Sequence, residues 1–122
     1  MFKKTLPFLV IIVVLSALFF LLSKKPHLDL IFYYGDSCPH CKNVEDWLAE
    51  NNSEEKIKVD YKEVYDTDSN RNELYRTVSE YCPELITESG SIGVPTAFDP
   101  VNQKCIQGDT PIIEFLSSKL TE

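Results

Sequence analysis

Two cysteines and a histidine fall within four residues at Cys38-Pro39-His40-Cys41, inside the stretch FYYGDSCPHCKNVEDWL. Such a group serves one of three chemistries: a dithiol that cycles to a disulfide, part of a metal site, or an inert cross-link. The thiolate is the reactive form of cysteine, and an ordinary thiol with a pKa of about 8.5 supplies little of it at neutral pH. A helix N-terminus lowers that pKa, because its unpaired N–H groups carry a partial positive charge. If a helix begins here, Cys38 stands at its start and Cys41 comes round one turn later to face it. Cys38 is then the expected nucleophile, and Cys41 the resolving thiol that attacks a mixed disulfide and releases the partner. Pro39 and His40 lie between them as tuning residues. An imidazolium near Cys38 stabilises the thiolate, and so the reduced form, which makes the disulfide more oxidising.

Metal chemistry is the first rival, in the form of a membrane-anchored copper or zinc carrier using Cys38, His40 and Cys41. A zinc site would most simply add a second paired cluster, whereas Cys82, Cys105 and His27 are single residues. No resident metal is therefore expected. A redox-inactive binding module is the second rival. Cys82 and Cys105 are read either as a second disulfide or as two buried thiols.

The sequence around the pair supplies the elements to position it. Leu28 to Tyr34, LDLIFYY, is an apolar run of strand length that ends at Gly35-Asp36-Ser37. Cys41, Val44, Trp47 and Leu48 then share one face of a helix, with Pro39 in the first turn, where its missing N–H costs nothing. That helix is expected to stop near Asn51-Asn52-Ser53. Ile57, Val59 and Tyr61 alternate with charged residues as a second strand. Asp68 or Ser69 is the expected cap of a second helix, with Leu74, Tyr75, Val78 and Tyr81 or Cys82 facing inward and Pro83 ending it. Glu84 to Gly93 reads as loop. Thr96 to Phe98 and Lys104 to Ile106 read as a hairpin around DPVNQ. Gly108-Asp109-Thr110-Pro111 opens a last helix whose Ile112, Ile113, Leu116 and Leu120 face inward. The predicted order is β-α-β-α-β-β-α, an α/β fold with Cys38 at the junction of first strand and first helix, where α/β sheets tend to carry their chemistry.

Ahead of this domain, Leu6 to Leu22 runs 17 residues without a charge. A hydrocarbon core needs about 20 apolar residues, with a range of about 17–25. The sequence LLSKKPHL that follows is a poor signal-peptide cleavage site, so an uncleaved single-pass anchor over residues 1–25 is expected, with one domain over 26–122. Lys3, Lys4 and the α-amine precede the span and Lys24 and Lys25 follow it, a slight excess that favours an extracytoplasmic domain. With those four lysines set aside, the domain holds 8 of the 12 basic residues against all 19 acidic ones, a net charge of −11. Such a surface repels phosphate backbones and excludes nucleic acid as an expected partner.

The motifs CPHC at Cys38 to Cys41 and GVPTAF at Gly93 to Phe98 resemble those of the thioredoxin superfamily in its small, glutaredoxin-like form, over about Leu28 to Leu120. The resemblance implies a thioredoxin-like fold, with a mixed four-stranded sheet flanked by helices. It also implies a cis-proline at Pro95 beside the cysteines, with Val94, Pro95 and Thr96 as the substrate-binding element. The implied activity is thiol-disulfide exchange with protein thiols or disulfides, with electrons passed to or from a redox partner protein. No bound cofactor is implied, since the electrons reside in the cysteine pair. The dipeptide Pro39-His40 is similar to that of the DsbA oxidases, whose inserted helical domain has no counterpart here. Glutaredoxins hold glutathione with a Gly-Gly and an acidic residue after the last strand. The counterpart here is Gln107-Gly108-Asp109, so glutathione is an optional co-substrate and Asp109 is read first as a helix cap. Thioredoxins carry a buried acid where this chain has Phe32, which leaves Asp36 and Glu63 as candidate proton acceptors for Cys41.

Overall fold

The computed structural model describes residues 2–23, 27–52 and 54–122. Lys24, Lys25 and Pro26, at the junction of anchor and domain, and Ser53, at the expected helix stop, lie outside the described residues.

The first helix, α1, spans Phe2–Leu22 and contains Pro7 in its second turn. Its 21 residues reach about 31 Å at a rise of 1.5 Å per residue, the thickness of a hydrocarbon core. Its apolar side chains are exposed along its length, and the hydroxyl of Ser16 donates to Val13 O at 2.9 Å, so that polar group is satisfied within the helix. The chain thus carries one N-terminal helix long and apolar enough to cross a membrane.

The remaining elements are β1 (Leu30–Tyr34), α2 (Pro39–Asn51), β2 (Val59–Glu63), α3 (Asp68–Tyr81), a 3-10 turn at Pro83–Leu85, β3 (Thr96–Asp99), β4 (Lys104–Gln107) and α4 (Asp109–Leu120). They follow the expected order. The four strands form one mixed sheet in the order β2-β1-β3-β4. β1 runs parallel to β2, with Phe32 opposite Tyr61, and antiparallel to β3, with Phe32 opposite Ala97. A parallel pair needs a crossover, and α2 is that crossover.

Alternation along β1 divides the core in two. Leu30 and Phe32 point to one face and pack with Val44 and Leu48 of α2, Ala97 of β3 and Ile112 and Leu116 of α4. Tyr33 points to the other face and packs with Leu74 and Val78 of α3, Phe98 and Val64. β1 is buried on both sides, which is why it reads as an unbroken apolar run rather than an alternating one. Cys82, at the C-terminal cap of α3, forms a disulfide with Cys105 of β4 across a Cα–Cα distance of 6.2 Å. Of the two readings of these cysteines, the disulfide holds.

Several local expectations are corrected. β1 begins at Leu30 rather than Leu28, and Ile57 lies ahead of β2, buried in the core on the α2 side. Neither Asp68 nor Ser69 caps α3: the cap position is Thr67, without a side-chain cap bond. The Thr67 hydroxyl instead donates to Glu63 Oε2 at 3.3 Å, and that carboxylate also accepts the Tyr65 and Asp66 N–H groups. Glu63 therefore organises the entry to α3, and Asp68 pairs with Arg71. Tyr75, expected inside, is 37% exposed; of the alternatives Tyr81 and Cys82 it is Cys82 that is buried, and with Leu74 and Val78 it carries the stripe. The cap position of α4 is Gly108, at φ 96, and Asp109 is the first helical residue. A positive φ favours glycine there.

Tyr33 supplies a test of this packing. Its hydroxyl donates to Glu73 Oε1 at 3.1 Å and lies 3.3 Å from Thr77 Oγ1. Burial pushes its phenol up to about 12; the Thr77 bond works against this and the Glu73 charge adds to it. In the unfolded chain the value returns to about 10. The neutral phenol is thus favoured by folding, so its contribution is complete below about pH 10 and is lost as pH rises to about 12. In urea titrations at about pH 9 and pH 11, Tyr33→Phe is expected to remove part of the stability loss that the native chain shows across this interval.

Candidate active site

Asp36-Ser37 turns the chain from β1 into α2, and the Cys38 N–H donates to Gly35 O at 3.1 Å. Cys38 has extended backbone angles, φ −97 and ψ 110, and is the N-cap of α2, with Pro39 as the first helical residue. The Cys41 N–H donates to Cys38 Sγ at 3.1 Å. Serine and aspartate caps use a side-chain oxygen for this bond; here a sulfur takes the role. The same N–H that caps the helix is therefore aimed at the atom on which a thiolate charge would sit, where it favours the charged form.

Cys38 and Cys41 are joined as a disulfide, with Cα atoms 5.2 Å apart. Cys38 retains 8% of its surface and Cys41 none. Of the pair, only Cys38 keeps any surface in contact with solvent.

The Val94–Pro95 peptide bond is cis. Val94 O lies 3.8 Å from Cys38 Sγ, so the GVPTAF loop, 56 residues away in sequence, borders the cysteine pair. Pro95 and Thr96 are buried. The Thr96 hydroxyl points back to donate to Gly93 O at 2.6 Å, and Gln107 Nε2 donates to Gly93 O at 3.1 Å and to Thr96 Oγ1 at 3.2 Å. The Gly108 N–H donates to Pro95 O at 2.9 Å. Thr96 thus braces the loop from within, and β4 braces it from the side through Gln107.

The His40 side chain is 72% exposed. Its ring makes no hydrogen bond with either sulfur; Nδ1 lies 3.0 Å from Oδ2 of Asp109, at the start of α4. Asn43 Nδ2 donates to the same carboxylate oxygen at 2.7 Å, and the Thr110 N–H donates to the other at 2.9 Å. Hydrogen bonds from Asn43 and then His40 hold the Asp109 carboxyl down at about 2, so it is ionised throughout the physiological range. Asp109 is therefore a partner of the CPHC segment rather than a cap. Sequence reasoning missed Asn43, and it named Gln107 as the counterpart of a glutaredoxin glycine rather than as the brace of the Gly93–Thr96 loop. Asn43 had one visible signal, its position three residues after His40 on the same helix face.

Among the described residues, no carboxylate hydrogen-bonds either cysteine. Asp36 and Glu63 belong with Asp66 to an acidic group beside the entry to α3, the one group of three or more candidate metal-ligating side chains among the described residues. The Glu63 carboxyl is held below the usual range by the Asp66 and Tyr65 N–H groups and the Thr67 hydroxyl, against the opposing effect of its burial.

Comparison with known proteins adds no name to this geometry: no protein-family model, curated protein or solved structure matches the chain.

Proposed function

We propose that the protein is a membrane-tethered thiol-disulfide oxidoreductase with a thioredoxin-like domain. The observation that carries this reading is the disulfide at a helix N-terminus, with the Cys41 N–H donated to Cys38 Sγ. The β-α-β-α-β-β-α order and the cis-proline loop against Cys38 support the fold assignment.

In the oxidising direction, a substrate thiolate attacks Cys38 Sγ. The Cys38–Cys41 bond breaks, a mixed disulfide forms on Cys38, and Cys41 departs as a thiolate that takes up a proton. A second substrate thiolate then attacks the substrate sulfur of the mixed disulfide and releases Cys38 as a thiolate. The substrate gains a disulfide and the protein holds two electrons as a dithiol. Reduction of a substrate disulfide is the same path reversed. A redox partner protein returns the pair to its starting state. The Cys82–Cys105 disulfide supports an extracytoplasmic site for the domain, since structural disulfides persist in oxidising compartments.

The test is a redox titration of the full-length protein in detergent micelles, read by thiol alkylation and mass. Cys38 and Cys41 are expected to gain and lose two electrons together, between about −120 mV, typical of strong oxidants, and about −270 mV, typical of reductants. The midpoint assigns the direction of electron flow. A pair that stays oxidised across that interval, or that cycles without exchanging with a reduced or disulfide-bonded protein, overturns the reading.

A further inference from the structure

We infer that Asp109 is a positioning residue and counter-charge for His40, and that its carboxylate lowers the oxidising power of the Cys38–Cys41 disulfide. The inference rests on the redox reading above and concerns how that site is tuned.

Three observations carry it. His40 occupies the first turn of α2, two residues from the nucleophile, yet its Nδ1 is engaged by a carboxylate from another helix, with 72% of the side chain left exposed. Asn43, one turn further along α2, donates to the same oxygen at 2.7 Å, so the carboxylate is held by two groups of α2 and cannot swing away from His40 without losing both. α2 and α4 share one core through Val44, Leu48, Ile112 and Leu116, which fixes the two helices as the frame for this contact.

The sign follows from charge. An imidazolium alone beside Cys38 would stabilise its thiolate and make the disulfide a stronger oxidant. A carboxylate bonded to that imidazole sets a full negative charge against it. Removing the carboxylate takes away one negative charge and leaves the imidazole in place. The local net charge therefore becomes more positive in every case. The thiolate gains, and with it the reduced form.

The experiment compares full-length wild type, Asp109→Asn, His40→Ala and the double variant at neutral pH, each equilibrated with glutathione in detergent micelles. Asparagine keeps the shape and an acceptor for both hydrogen bonds while removing the charge. The expected result for Asp109→Asn is an equilibrium constant shifted at least threefold toward the reduced protein, about 14 mV more oxidising at 29.6 mV per tenfold. His40→Ala keeps the carboxylate and removes the imidazole, so it is expected not to shift the constant toward the reduced protein. The two changes are expected to be non-additive in the double variant. A shift of Asp109→Asn toward the oxidised protein, no shift, or strict additivity overturns the inference.

A separate readout needs no redox activity. The ¹⁵N resonance of His40 Nδ1 is expected to move in Asp109→Ala, which removes the acceptor, and to move less in Asp109→Asn. A resonance indifferent to both overturns the clamp itself. A wild-type pair that fails to cycle while the resonance responds overturns the redox reading and the tuning role, and leaves only the contact.

Discussion

A Cys41→Ser variant is expected to stop the exchange half-way, with substrate held on Cys38 as a mixed disulfide. The variant begins as a free Cys38 thiol, so the trap forms when it meets a disulfide-bonded substrate. Cys38 Sγ attacks one substrate sulfur and the other substrate sulfur leaves. Release then needs a thiolate aimed at Cys38, and in the native chain that thiolate is one helical turn away. Groups held in this way act with effective molarities far above those of free thiols, so turnover is expected to fall at least about 100-fold. Non-reducing electrophoresis with mass analysis reads the adduct and a disulfide-reduction assay reads the rate.

The matching variant sharpens the prediction. Cys38→Ser leaves Cys41, which has no exposed surface and lies within the core cluster with Val44 and Phe32. It is expected to capture no protein substrate and to show background activity. Equal capture by both variants would mean that burial does not select the attacked sulfur, and the assignment of roles would fall. A Cys41→Ser variant that keeps native turnover would remove the need for a resolving thiol altogether.

How far the sequence discloses this site depends on the range of each interaction. The junction of β1 and α2 was legible because its causes are local: an apolar run, a Gly-Asp-Ser turn, a proline in the first turn and a helical apolar stripe. The hairpin was legible for the same reason, since Asp99 accepts the Val101 and Asn102 N–H groups at 2.9 Å and 3.2 Å within the turn it begins. The cap of α3 was misread because Glu63, at the end of β2, ties down the turn ahead of the helix through the Tyr65 and Asp66 N–H groups and the Thr67 hydroxyl, which sets Thr67 at the cap position. Spacing alone left Tyr81 or Cys82 to close the stripe of α3; Cys82 is buried, while Tyr81 packs its ring on Phe98, with centroids 4.9 Å apart, and leaves 39% of its surface in solvent. The His40–Asp109 contact spans 69 residues and joins two helices. Each residue alone has a sufficient local explanation, a tuning residue in CPHC and a cap in GDTP, and only the packing of α4 on α2 brings them together.

The second cysteine pair is expected to matter for stability and not for exchange. Cys82 and Cys105 are 23 residues apart, and closing a loop of that size in the unfolded chain corresponds to about 3 kcal/mol on the chain-entropy model. The link is also where it has most to hold. It joins the end of α3, with Cys82 only 3% exposed, to β4, an edge strand of the sheet. β4 also supplies Gln107, which braces the loop beside Cys38. A Cys82→Ala/Cys105→Ala double variant is therefore expected to lose about 3 kcal/mol in urea denaturation with both Cys38 and Cys41 kept oxidised. Its Cys38–Cys41 potential is expected to stay within about 10 mV of native, a shift of under threefold in the equilibrium constant. The single variant Cys105→Ala should lose about as much stability, because it leaves the same loop unclosed. A large change in the potential with little loss of stability would reverse this division of labour. It would mean that the second disulfide acts on the first through β4 and the Gly93–Thr96 loop, with Gln107 as the connection to mutate next.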